Sequence, residues 1–228
     1  MTLIMNTYMD QFPNKTQLNK RIPKQKFYEN LSVTPALKRV FIEQINVIYW
    51  RNKLTTSTLN VSSGERVTEI EVFELRLNQQ KLDTTILQLI DKEIPYHILF
   101  ILTFEDMCQV WIGYKEASAV KSGNFKVGSY FHTEWMKAEL LGLRLEGLTI
   151  DAIYDNLVRQ IAPQEVGGWS AENGVKRAVE QYDQKQKLLK EITALEKKIQ
   201  SEKQFNRQVE LNEKINALKC ELSKLMKV

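Results

Sequence analysis

Apolar residues recur along this chain at the three-to-four-residue spacing of amphipathic helices and at the two-residue spacing of strands. The helical spacing predicts helices that begin after residues typical of the N-cap position: Thr34, Asp83, Thr133 and Thr149. The first of these helices is expected to have Pro35 at its first position and to run from Ala36 to about Lys53. The second is expected to end at Pro95.

Strands are predicted where apolar residues alternate with polar ones or form a short continuous run. The predicted strands lie near residue 59 and over residues 68–78, 97–104, 109–115 and 126–131. Helices and strands do not alternate regularly in this order. The pattern therefore predicts an α+β domain with a small mixed sheet and flanking helices.

The C-terminal part carries a different pattern. Apolar residues step by four and three in a first block that ends at Ile199 and in a second block formed by Leu211, Ile215, Leu218, Leu222 and Leu225. The twelve residues between the blocks do not continue the register of the first block. A hairpin would explain this change, but the region lacks Gly and Pro, which favours a continuous helical, coiled-coil-like arm. We expect the second block to bind a protein partner or a second copy of the chain.

Composition supports this division of the 228 residues. All nine Gly, all five Pro and all four Trp occur at or before residue 174, and residues 176–228 carry 13 basic and eight acidic side chains. The predicted organisation is a basic lead at 1–21, a globular domain at 22–161, a Pro/Gly linker at 162–170 and a helical arm at 171–228. No stretch resembles a secretory signal or a membrane span, so we expect a cytoplasmic protein.

The strand at 68–78 places Glu74 and Arg76 on one face, because alternate side chains of a strand share a face. A structural ion pair is the first interpretation. The alternative is a Mg²⁺-dependent nuclease-like site of PD-(D/E)XK type, in which a carboxylate holds the metal and a Lys stands two residues later. Arg in place of Lys, and Glu65 as the only acidic residue between Ile45 and Thr68, weigh against this alternative.

Other candidate chemistry is weaker. The basic lead could contact nucleic-acid phosphates through Lys15, Lys20, Arg21, Lys24 and Lys26. Cys108 with His97 or His132 would be a nucleophile and base, but no flanking motif supports this pairing. No P-loop, dinucleotide-binding glycine pattern or His-Glu-x-x-His motif occurs, so we expect no cofactor and no resident metal.

Several segments together resemble one bacterial family, the domain of unknown function 4391. They are Ile22-Pro-Lys-Gln-Lys-Phe-Tyr28, Ala36-Leu-Lys-Arg-Val-Phe41 with Trp50, Glu69-Ile-Glu-Val-Phe-Glu-Leu75, Ile90-Asp-Lys-Glu-Ile-Pro-Tyr96, Tyr130-Phe with Thr133-Glu-Trp135, and Glu202-Lys-Gln-Phe-Asn-Arg-Gln-Val-Glu-Leu-Asn212. Members look like companions of helicases and DNA methyltransferases in restriction-like or phage-defence gene clusters. The resemblance implies such a partner, or DNA itself, and transfers no catalytic residue. The expected function is therefore a non-enzymatic accessory protein of a DNA-defence or restriction-modification-like complex.

Overall fold

The structure is a computed structural model that describes residues 11–29, 33–117, 125–164 and 174–225. The chain divides into two compact units at residue 167, within the segment predicted as a linker. The first unit is a mixed α/β domain built on one sheet. This confirms the α+β class, although the sheet of seven strands is larger than expected.

The strands of this sheet follow one another in space in nearly the same order as in the chain. They are β1 (Gln17–Ile22), β2 (Ile45–Thr55), β3 (Glu69–Leu77), β4 (His97–Phe104), β5 (Met107–Ala117), β6 (Phe125–His132) and the short β7 (Met136–Lys137). The order is β1-β2-β3-β4-β5-β6, and β7 also pairs with β5. Only the β3–β4 pairing is parallel among the described strands. A helix crossover therefore joins β3 and β4.

The helices of this unit are short, and four of them begin at a side-chain N-cap. They are α1 (Gln25–Glu29), α2 (Pro35–Gln44), α3 (Thr56–Leu59), α4 (Thr84–Glu93) and α5 (Ile150–Ile161), with 3₁₀ turns at Asn14–Thr16 and Ala138–Leu140. The side chains of Thr34, Asp83 and Thr149 each accept a backbone N–H at the start of α2, α4 and α5, which confirms three predicted N-caps. Hydrogen bonds from Thr85 hold the pKa of Asp83 below its usual value.

One face of β3 carries Phe73, Leu75 and Leu77 into the main apolar core. Ile86, Leu87 and Ile90 of α4 belong to the same core, together with Phe41 of α2. Phe73 and Phe100 meet edge to face at 6.4 Å between ring centroids. The opposite face of β3 carries Glu74 and Arg76, so this pair lies outside the main apolar core.

The predicted helix from residue 36 to 53 is wrong beyond Gln44, because residues 45–55 form β2. The cause is a β-bulge between Ile45 and Val47. Ile45 pairs with Leu77 and Ile48 with Leu75, so both point into the core although they are three residues apart. The bulge thereby produces a helix-like spacing inside a strand.

Two smaller predictions are also wrong. Residues near 59 form the single turn of α3 instead of a strand. Thr133 does not cap a helix, since its hydroxyl accepts the backbone N–H of Val110 and the next residues form β7 and a 3₁₀ turn. The predicted loop at 118–124 lies outside the described residues.

The second unit contains a long helix α6 (Gly174–Ser201) followed by α7 (Phe205–Leu225), and the two helices pack together. The expectation of one continuous helix is therefore wrong. The Glu202 carboxylate accepts the backbone N–H groups of Lys203 and Gln204, which lie between α6 and α7, so the turn is hydrogen-bonded without Gly or Pro. Across the hairpin, Lys219 Nζ lies 2.9 Å from Glu196 Oε1. No helix in the described ranges is long and apolar enough to cross a membrane.

Candidate functional site

Glu74 lies near the middle of the sheet, on β3 between β2 and β4. Glu74 is 1% exposed, and its carboxylate accepts hydrogen bonds from the guanidinium groups of both Arg51 and Arg76. Arg76 Nε donates to Glu74 Oε1 over 2.8 Å, and Arg51 donates through Nε to Oε2. Thr103 Oγ1 of β4 lies 3.5 Å from Oε1. The structure thus confirms the Glu74–Arg76 ion pair and adds Arg51, which the sequence pattern did not identify.

A second β-bulge explains why Arg51 reaches Glu74. Trp50 pairs with Phe73 on the core face, whereas Asn52 pairs with Val72 on the opposite face. Arg51 is the extra residue between these pairs. Its side chain therefore does not have to follow the alternation of side chains between the two faces of the sheet. The guanidinium is then held by Glu74 and by Asn19, whose Oδ1 accepts from Nη1 at 3.1 Å.

This geometry bears on the two interpretations of Glu74. A metal site would need carboxylate oxygens open to the cation and further oxygen ligands. Both Glu74 oxygens instead accept from a guanidinium. Within the described ranges, no group of three or more His, Cys, Asp or Glu side chains is placed to hold a metal. The arrangement therefore favours a structural anchor for two arginines.

The five basic residues proposed for nucleic-acid binding do not form one patch. Lys20 pairs with Trp50 and Arg21 with Tyr49, so these two neighbours lie on opposite faces of β1. Lys24 Nζ donates to the Ile45 carbonyl at 2.6 Å, and burial lowers the pKa of this ammonium. Lys15 and Lys26 are exposed in a 3₁₀ turn and in α1. Residues 17–21, predicted as part of a separate lead, belong to the edge strand β1.

The five apolar residues of the second arm block divide into two groups. Leu211 and Ile215 are buried, whereas Leu218, Leu222 and Leu225 are half-buried. Phe205 at the start of α7 is 75% exposed, and Val209 one turn later is also exposed. The arm thus covers part of the predicted stripe and leaves other apolar side chains in contact with solvent.

A buried polar network centred on Lys115 was not predicted. Lys115 Nζ lies 2.8 Å from Asp91 Oδ1, and both side chains are fully buried. The ammonium also donates to the backbone carbonyls of Asp91, Ile94 and Tyr96, at 2.9, 3.1 and 2.6 Å. These carbonyls close the C-terminal end of α4, where a positive charge is favourable. Lys115 therefore fixes the end of α4 to β5.

Tyr130 and Gly113 complete this network. The Tyr130 hydroxyl donates to Asp91 Oδ2 over 2.5 Å. A Cβ atom on Gly113 would lie 2.7 Å from the same oxygen, so only glycine leaves room for this approach. The stretch Ile90–Tyr96 and Tyr130 were both among the segments that carry the family resemblance. Both hold the Asp91–Lys115 ion pair, the stretch through the carbonyls that bind Lys115 and Tyr130 through its hydrogen bond to Asp91.

A pair of carboxylates lies on the core face of β3, at its N-terminal end. Trp50 Nε1 donates to Glu71 Oε2 at 2.6 Å, and Lys53 Nζ lies 2.8 Å from Glu69 Oε2. Burial, assisted by a hydrogen bond between the two carboxyl groups, raises the pKa of Glu71 to about 7. Glu71 thus binds a proton near neutral pH.

We expect the Glu71 proton to make stability depend on pH. Because its pKa is raised in the folded state, its contribution is fully present below the carboxyl's unfolded pKa of about 4.3 and is lost as pH rises through about 7. Glu71→Gln keeps an acceptor for Trp50. In this variant the urea concentration at the midpoint of unfolding should change less between pH 5 and 8 than it does in wild type. Glu65→Gln, at an exposed position, is the control. An unchanged pH dependence in Glu71→Gln would contradict this assignment.

The cysteine alternative is not supported by the geometry. Cys108 is fully buried, and burial raises the pKa of its thiol to about 11. Burial also lowers the pKa of His97 to about 4. His132 stacks on Trp111 at 4.1 Å between ring centroids. A thiol in this setting stays protonated at neutral pH, which is opposite to what a nucleophile needs.

Comparison with known proteins identifies the family. Residues 11–222 match the domain of unknown function family DUF4391, so the chain belongs to this family. The match covers both units, including most of α7. No curated protein and no solved structure shows significant similarity to the chain.

Proposed function

We propose that this chain is a non-catalytic accessory protein of a bacterial DNA-defence or restriction-modification-like complex in the cytoplasm, and that its helical arm binds a protein. The observation that carries the non-catalytic part is the Glu74 carboxylate, whose two oxygens are held by Arg51 and Arg76. An anchored carboxylate of this kind organises arginines and leaves little capacity for a cation. The defence context rests on the family resemblance.

The arm supports the interaction role. It is a compact unit of its own, and its exposed side chains include Leu189, Phe205 and Val209. Exposed apolar groups on a helical element are typical of protein-binding surfaces. The partner is a second copy through coiled-coil-like pairing, or a companion such as a helicase or DNA methyltransferase.

The nuclease-like alternative has one observation in its favour. Glu74 lies on the strand that leads through α4 into the parallel strand β4, as the metal-binding carboxylate of a PD-(D/E)XK core would. The guanidinium groups on its oxygens oppose that role. Measurement of DNA cleavage together with the stability of Glu74→Gln separates the two functions.

We expect the purified chain to be a dimer or larger at micromolar concentration, and the double variant Leu218→Asp with Leu222→Asp to be a monomer. Both leucines are half-buried, and burying such a side chain fully is worth about 1.5–3 kcal/mol. Two carboxylates at these positions would oppose pairing. Light scattering measures the change.

The matched control for this experiment is Asn212→Asp with Asn216→Asp, which adds the same charge to α7 at exposed positions. This control should remain associated. A monomeric wild-type protein whose arm resists proteolysis would contradict pairing between chains. Loss of association in the control would show that charge alone, and not the leucine surface, governs the oligomeric state.

A further inference from the structure

One corner of the sheet, on the face opposite the main core, gathers arginines from three adjacent strands. Arg21 of β1 pairs with Tyr49 of β2, and Tyr49 pairs with Glu74 of β3. Residues directly opposite in neighbouring strands share a face. Arg76 lies on this face opposite Val47, and Arg51 reaches it through the bulge described above. We call these four residues, Arg21, Tyr49, Arg51 and Arg76, the arginine corner.

The arginine corner is held in a fixed geometry. The guanidinium carbons of Arg51 and Arg76 lie 4.2 and 5.0 Å from the ring centroid of Tyr49. Both arginines also donate to the buried carboxylate of Glu74. A further irregularity in β1, where Asn19 has a φ of 51°, brings the Asn19 side chain to Arg51. Two strand irregularities therefore serve to orient one cation.

Charge distinguishes this corner from an ordinary ion-pair network. Among the described residues, two of the three guanidinium groups of the arginine corner, those of Arg51 and Arg76, bind the single carboxylate of Glu74, and Arg21 adds a third positive charge on the same face. Arg21 is exposed, and the Arg76 side chain is 42% exposed. A groove of about 340 Å³ runs beside the corner and is lined by Arg21, Lys24 and Val47 among others. The corner therefore presents an excess of positive charge beside an open groove.

We propose that the arginine corner binds the phosphates of a nucleic-acid strand. Strands in a sheet lie about 4.8 Å apart and rise about 3.4 Å per residue. Arg76 lies two strands from Arg21 and two residues along β3 from the position opposite it, so the backbones of the two arginines are roughly 12 Å apart. Phosphates in one strand are spaced about 3.4 Å along the helix axis, so this separation spans more than one phosphate. Guanidinium groups match phosphate geometry through paired N–H donors. This site does not depend on the protein-binding role of the arm.

Fluorescence anisotropy with a labelled 20-nucleotide single strand, in EDTA and about 50 mM salt, tests the proposal. The double variant Arg21→Gln with Arg76→Gln should bind at least tenfold more weakly than wild type. Its log–log salt slope should be shallower by about one to two. The matched control is Arg39→Gln with Arg144→Gln, which removes two exposed arginines elsewhere and should bind as wild type does.

Deleting residues 1–26 is not a usable test, because it removes β1 and the buried Phe12 and Thr16. Circular dichroism and thermal unfolding of the two double variants confirm that both remain folded. Absence of wild-type binding at this salt concentration, or an equal loss of affinity in the control, would overturn the proposal. Displacement of the oligonucleotide by polyglutamate at the same charge concentration would indicate that the arginine corner binds an acidic protein. This result would also overturn the proposal.

Discussion

Replacing Lys115 by methionine is expected to lower the free energy of unfolding by about 3–5 kcal/mol, because it leaves the buried Asp91 carboxylate without its cation. Methionine fills a similar volume but cannot donate to the carbonyls of Ile94 and Tyr96. The end of α4 would then lose its attachment to β5. For a chain of this length the corresponding fall in Tm is about 6–20 °C.

The control for Lys115 is Lys219→Met. Lys219 also forms an ion pair, with Glu196, but these side chains are 54% and 47% exposed. Its loss should cost less than about 1 kcal/mol, as is usual for surface pairs. The double variant Lys115→Met with Asp91→Asn should cost less than the sum of the two single changes. If Lys115→Met were no more destabilising than Lys219→Met, the anchoring role of Lys115 would be wrong.

Local signals in the sequence predict much of the first unit. Asp83 and Pro95 bound α4 correctly, and the continuous apolar run predicts β4 from His97 to Phe104. The largest error, at β2, comes from irregular backbone. The bulge at the start of β2 gives Ile45 and Ile48 a helical spacing, and pattern analysis assigns a helix there. Nothing in side-chain periodicity marks an inserted residue.

The candidate site was predicted only in part, for a similar reason. Alternation along β3 is enough to place Glu74 and Arg76 together. Arg51 joins them through the register between β2 and β3 and through a bulge, neither of which a single sequence specifies. The network around Lys115 is harder still to predict. Three of its acceptors are backbone carbonyls, which every residue type carries.

In the arm, the change of register between the two apolar blocks was the correct sign of a hairpin, and the lack of Gly and Pro was misleading. The Glu202 carboxylate supplies the hydrogen bonds to the turn backbone at Lys203 and Gln204. Backbone N–H groups of Gln204 and Lys203 accordingly lower the pKa of this carboxylate. A glutamate does not mark a turn in the sequence, because glutamate is common throughout helices.

The second large effect is expected at Glu74. Glu74→Gln keeps one acceptor oxygen but removes the charge that holds Arg51 and Arg76. Hydrogen bonds to charged groups contribute about 1.5–3 kcal/mol, and Arg51 is only 12% exposed, so the loss should reach about 2–3 kcal/mol. Glu43→Gln, on the exposed side of α2, is the control and should leave stability within about 0.5 kcal/mol of wild type.

The most direct test of a non-catalytic role combines two readouts on wild type, Glu74→Gln and Glu43→Gln. Thermal unfolding measures the structural role, and incubation of supercoiled and linear DNA with Mg²⁺ measures cleavage. We predict that Glu74→Gln unfolds at a temperature about 4–12 °C lower than wild type, and that none of the three proteins cleaves DNA. Mg²⁺-dependent cleavage by wild type that Glu74→Gln abolishes without a change in stability would contradict the proposed function.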